Sequence, residues 1–178
     1  VERVPLPKTV LIPDVPFVAQ APFSEWNDPI FQDACEEASL LMTVAWVKGE
    51  TLTRERAQVD IRALAKYQTD IRGHAVDTSI DDTAALLGDY FQVATSEVHR
   101  AVTRDDIQQA LAKGRVVVVP TDGRKLNNPN FTPPGPPRHM IVVVGYDEET
   151  EEYIVNDPGT RRGERHRYKM AVLESAIL

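Results

Sequence analysis

Between Cys35 and Gly49 the chain carries apolar residues at helical spacing almost all the way round, including Ala38, Leu41, Met42, Ala45 and Trp46. A helix without a polar stripe has to be wrapped by the rest of the protein, so this pattern predicts a buried central helix that opens near Cys35 and stops at Gly49. Thr53 is a good N-cap for a second helix reaching about Tyr67, with Ile61, Leu64 and Ala65 turned inward. Ser79 with Asp82, and Thr103 with Asp106, have capping-box spacing. They predict one helix carrying Ala84, Leu87 and Phe91, and another carrying Ile107, Ala110 and Leu111 that closes at Gly114.

The second half changes character. Val116 to Val119 is a short continuous apolar run, read as a buried strand, and Met140 to Tyr146 and Tyr153 to Asn156 read as two strands joined by the acidic turn Asp147 to Glu152. Arg165 to Lys169 is expected to add a strand before a short terminal helix. Thr121 to Arg138 is a long proline-rich loop, of a length that in compact domains is often functional. Residues 1–14 read as an extended arm and Ala21 to Asp33 as a loop. Helices first and an antiparallel sheet later predict an α+β fold. With 178 residues, 42% of them hydrophobic, the chain suffices for one domain and hardly for two.

Charge and cysteine usage narrow the function classes. The net charge is −7, with no basic run, which sets nucleic-acid binding aside. No stretch approaches the roughly 20 apolar residues that span a bilayer. A single cysteine excludes an internal disulfide framework and a multi-cysteine zinc knuckle, and no short-range ligand pair supports a metal site. The chain begins at Val1 rather than a methionine, which raises the expectation of a processed product in an extracytoplasmic or cell-envelope location.

A lone cysteine is usually a small buried hydrophobe, but Cys35 falls at a predicted helix N-terminus, where unpaired amides and the helix dipole favour a thiolate. Glu36 and Glu37 suit a helix start and are expected to face away from the sulfur. His139 stands where the proline loop meets a strand, and Asp157 ends the next strand just before Pro158-Gly159. If those strands pair, the two side chains meet at one end of the sheet and the carboxylate accepts the Nδ1 proton of the imidazole. Asn156 is the alternative third member, although neighbouring strand residues point to opposite faces and only one can reach His139. A side-chain amide, from Gln20 or Gln32, would join the Cys35 N–H in an oxyanion hole. Without their partners, His139 would be an ordinary strand-edge histidine and Asp157-Pro158-Gly159 a turn. His74, His99 and His166 lie in polar stretches and are expected at the surface, and Met42 and Trp46 in the helix core. Trp26 either lines a substrate groove or packs its loop down.

Four segments carry a resemblance: Val15-Pro16-Phe17-Val18-Ala19-Gln20, Gln32-Asp33-Ala34-Cys35-Glu36-Glu37-Ala38-Ser39, His139-Met140-Ile141-Val142-Val143-Val144-Gly145-Tyr146-Asp147, and Val155-Asn156-Asp157-Pro158-Gly159. In order and spacing, from about residue 12 to 160, the chain resembles cysteine peptidase family 39, a papain-like family. It includes the bacteriocin-processing double-glycine leader peptidases and many stand-alone bacterial relatives. The resemblance implies a papain-like fold in which a nucleophile helix packs on an antiparallel sheet. It further implies Cys35 as nucleophile, His139 as general base, Asp157 as third member, Gln20 rather than Gln32 as the oxyanion glutamine, a peptide or protein substrate, and no cofactor. Two departures stand out: Glu36 occupies a position that is usually glycine, and a longer stretch, with a loop around Trp26, separates Gln20 from Cys35. No ATP-binding or transporter segment accompanies the domain, so bacteriocin export is not implied. Acyl transfer at the same site, and a degenerate module that holds peptides or cell-wall material without cutting, are the alternatives.

Overall fold

The computed structural model describes residues 3–73, 75 and 79–178. His74 and the first two residues of the expected arm lie outside the described residues. The elements, in order, are β1 (Thr9–Leu11), α1 (Pro29–Gln32), α2 (Cys35–Lys48), α3 (Arg54–Arg72), α4 (Ile80–Asp89), α5 (Arg104–Ala112), β2 (Val117–Thr121), β3 (His139–Asp147), β4 (Glu152–Asn156), β5 (His166–Lys169) and α6 (Met170–Ala176).

The sheet has five antiparallel strands built around β3. One edge of β3 is shared: β2 pairs with its first half, from His139 to Val143, and β1 with its second, from Gly145 to Asp147. β4 runs along the other edge, followed by β5. The register between β3 and β4 shifts by one residue at Val144, so that Val143 faces Val155 and Gly145 faces Ile154. A bulge of this kind restores side-chain parity. Val142, Val144 and Ile154 therefore join one core with Leu40, Met42 and Ile61, while Val143, Tyr146 and Tyr153 join a second core with Ile107, Leu111 and Leu173. The sheet is thus covered on both faces, by α2, α3 and α4 on one and by α5 and α6 on the other, as an α+β arrangement requires.

The buried central helix is observed. Every residue of α2 from Cys35 to Ala45 is buried, and Gly49 ends it in the left-handed conformation (φ 64°). Ser39 Oγ donates to the Met140 carbonyl at 3.2 Å, which locks the second turn of α2 to the start of β3. Both capping boxes form as read. α3 runs five residues past the expected stop, because Gly73, and not Tyr67, supplies the left-handed cap. Two elements were not anticipated: the strand β1 inside the arm, and α1, which Asp28 caps with Pro29 in its first turn.

Glu37 is the costly residue of α2. It is buried, and Gln68 Nε2 of α3 donates to its Oε1 at 2.5 Å, while its Oε2 and the Gln68 Oε1 have no hydrogen-bond partner. Burial, reinforced by the nearby Glu36 charge, pushes its carboxyl from 4.5 up to about 8. A raised acid favours folding fully below the unfolded pKa, and that contribution is lost as pH rises through the folded one. Glu37→Gln, which removes the titration and adds a donor for Gln68 Oε1, is expected to leave stability nearly unchanged at pH 4.5 and to raise it at pH 8.5 by about 3 kcal/mol. Urea unfolding at the two pH values measures both; equal gains at both would refute the assignment.

Candidate active site

The start of α2 differs from its neighbours. Thr53, Ser79 and Thr103 cap α3, α4 and α5 with their side chains, whereas Ala34 gives α2 no side-chain cap. The first amides of α2 are left to whatever occupies the space in front of them. That space is a cleft of about 910 Å³, lined among others by Gln20, Trp26, Gln32, Cys35, His139 and Gly159.

β3 and β4 bring His139 and Asp157 together. His139 Nε2 lies 2.7 Å from Asp157 Oδ1, with both side chains buried. The contact uses Nε2 and not the expected Nδ1, which leaves Nδ1 as the ring nitrogen not held by the carboxylate. Asp157 receives three more hydrogen bonds. The Gly159 N–H donates to Oδ1 at 2.9 Å, and Tyr168 OH and Asn128 Nδ2 donate to Oδ2 at 2.5 and 3.2 Å. Burial alone would raise this carboxyl, but the His139 charge and the donated hydrogen bonds outweigh it and hold Asp157 below the ordinary carboxylate range. Asn156, on the opposite face, donates to the carbonyls of Val15 and Pro16 and accepts the Arg165 N–H. It staples the Val15–Gln20 segment to the strand end, and Asp157 alone of the two reaches His139.

Two glycines make the packing possible. A Cβ on Gly159 would stand 2.8 Å from His139 Cε1, and one on Gly163 only 1.8 Å from the Asp157 carbonyl oxygen. Phe131, from the proline loop, meets the His139 ring edge-on with centroids 5.3 Å apart.

Cys35 is 5% exposed, and its environment departs from expectation. Its Sγ–H donates to Glu36 Oε2 at 3.0 Å, so Glu36 turns towards the sulfur and not away from it. A glutamate following the cysteine on the helix has its own side chain free to fold back, which a glycine there would not allow. Burial, then the charge and hydrogen bond of Glu36, push the thiol well above its ordinary pKa, opposed by a hydrogen bond from the Met140 backbone. The resting group is a protonated thiol. Glu37 faces α3 through Gln68, on the other side of the helix from the cleft lining.

Gln20 and Gln32 both line the cleft. Gln20 Nε2 donates to the carbonyls of Phe31 and Gln32, at 3.0 and 2.8 Å, so both its amide hydrogens are engaged, and its own N–H donates to the Pro158 carbonyl at 2.9 Å. Gln32 Nε2 donates to the Trp26 carbonyl. Trp26 belongs to the cleft wall and packs against the core at once. His99 is exposed beside Glu97, and His166 is half-buried against Tyr168. Trp46 is only partly buried, its Nε1–H donating to the Pro13 carbonyl.

Sequence reading missed Asn128, Tyr168 and the role of Glu36. Asn128 stood in a plain turn signal, Asn127-Asn128-Pro129, and Tyr168 in a short edge strand; neither pattern encodes which distant carboxylate they meet. Among the described residues no group of three or more His, Cys, Asp and Glu side chains is placed to hold a metal ion, and no helix is long and apolar enough to cross a membrane.

A buried imidazole–carboxylate pair and a cysteine at an uncapped helix start thus share one cleft. The chain belongs to the Peptidase_C39 like family, which it matches over residues 12–176, and thereby to a group related to cysteine peptidases. No curated protein matches it.

Proposed function

We propose that residues 1–178 form one papain-like cysteine peptidase domain, with Cys35 as nucleophile, His139 as base and Asp157 as the group that orients it. The observation that carries the reading is the His139–Asp157 contact of 2.7 Å, buried at the back of the cleft that Cys35 also lines. With Nε2 held by the carboxylate, Nδ1 takes the thiol proton once Cys35 turns from Glu36, and the sulfur attacks the substrate carbonyl carbon. The His139 imidazolium then protonates the leaving amine as the peptide C–N bond breaks, which leaves a thioester on Cys35. Water gives a proton back to His139 and attacks the thioester, releasing the acid and the thiolate. The Cys35 N–H supports the oxyanion, and Gln20 joins it by exchanging one of its two carbonyl bonds for the substrate oxygen.

A peptide-binding module that does not cut is the competing reading, favoured by the Cys35–Glu36 contact that keeps the thiol protonated. Incubation with a proteome-derived peptide library between pH 5 and 8, with new termini sequenced by mass spectrometry, separates the two. New termini absent from a Cys35→Ala control, with an acyl adduct on Cys35 after acid quench, are expected. A wild-type digest indistinguishable from the control refutes the peptidase reading. Added amine acceptors turning up on the products would redirect it to acyl transfer.

A further inference from the structure

The charge of the cleft runs against that of the chain. Acidic residues outnumber basic ones 27 to 20 in the sequence, yet the ionised residues lining the cleft are Arg138, Arg161 and Arg162 against Asp33 alone. Elsewhere arginines as far apart as Arg3, Arg104 and Arg167 sit on carboxylates. Arg161 and Arg162 are exposed, and among the described residues neither has an ion-pair partner.

Their loop is held fast. The Asp157 N–H donates to the Gly163 carbonyl at 3.0 Å, the Gly163 N–H to the Thr160 carbonyl at 3.3 Å, and the Arg162 N–H to Thr160 Oγ1 at 3.2 Å. The close approach of Gly163 to the Asp157 carbonyl leaves no room for a side chain there. The two guanidinium groups therefore spring from a frame built on the residue that orients His139. The wall formed by Trp26 and Pro29 offers no positive charge in exchange.

We propose that the cleft selects substrates carrying a carboxylate on its histidine side, received by Arg161 and Arg162. This deepens the peptidase reading and rests on it for the word substrate. A planar guanidinium matches a carboxylate in two parallel hydrogen bonds, and two of them lining one cleft discriminate a carboxylate from its amide by charge as well as shape. The carboxylate comes from an Asp or Glu side chain or from a peptide C-terminus, and both present the same group.

The test uses the full chain carrying Cys35→Ala, so that binding is read without turnover. Three fluorescent heptapeptide pools are titrated: one with a fixed internal Asp or Glu and an amidated C-terminus, one with Asn or Gln in its place, and one neutral pool with a free C-terminal carboxylate. At about 0.05 M salt, a carboxylate-bearing pool is expected to bind about fivefold tighter than the amide pool, with the preference shrinking at about 0.5 M salt. Whichever of the two carboxylate pools carries the preference identifies its source. Arg161→Glu with Arg162→Glu is expected to bring the ratio to one or invert it. Lys8→Glu with Lys48→Glu imposes the same change in net charge at the far end of the sheet and of α2, and is expected to leave the ratio in place. A ratio of one in the starting protein, or one that survives reversal of Arg161 and Arg162, overturns the proposal. Failure of the peptidase reading registers separately, as a library digest without new termini beside an intact binding preference.

Discussion

Asp157→Ala is expected to lower kcat/KM on the order of 1000-fold, the scale of losing an oriented general base. Four hydrogen-bond donors converge on this one carboxylate, two on each oxygen, which saturates what it can accept. Removal leaves the buried His139 ring without its anchor and strands the Tyr168 O–H, so the change also reaches stability, by about 3 kcal/mol. Asp157→Asn separates the two effects. It keeps an oxygen for His139 Nε2–H but loses the charge, and is expected to retain at least tenfold more activity than the alanine variant. Steady-state kinetics and urea unfolding on the same preparations read both numbers. Full activity in the alanine variant would remove Asp157 from the mechanism.

Glu36→Gln is expected to speed iodoacetamide alkylation of Cys35 at pH 7 about tenfold, roughly one unit of thiol pKa. The carboxylate raises the thiol by its charge and by accepting the S–H bond, and a neutral amide of the same size removes the first effect while leaving the Met140 N–H to favour the thiolate. The sign is fixed: a lower thiol pKa means more thiolate at pH 7, and so a faster reaction. Mass-spectrometric alkylation rates from pH 5 to 9 locate the titration. An unchanged rate would show that burial, and not Glu36, holds the proton. If Glu36 is the restraint, then its displacement by a bound peptide frees the Cys35 thiol.

Much of this was legible in the residues. The all-round apolar run after Cys35 needed a surrounding shell, and both faces of the helix found one. The capping boxes at Ser79 and Thr103 formed because they are local devices that need nothing from the rest of the chain. The meeting of His139 with Asp157 followed from pairing two strands across a short turn and counting alternation. What stayed hidden depended on distance. β1 has only three residues and takes its place from the open half of a strand more than a hundred residues away. The inward turn of Glu36 is a choice of rotamer, and neither charge nor spacing dictates it. The Nε2 contact depends on how the ring enters the sheet end, a detail that a triad argument built on residue types leaves open.

The long segment after β2 is moored at both ends. Asn128 fixes one end by donating to Asp157 and Tyr168, with Asn130 bonded to its side-chain oxygen, and His139 fixes the other as the first residue of β3. The stretch between supplies part of the cleft lining. Phe131 ties the start of that stretch to the His139 ring, so replacement loops of different size, spliced between Phe131 and Arg138, would retune selectivity while that contact is kept.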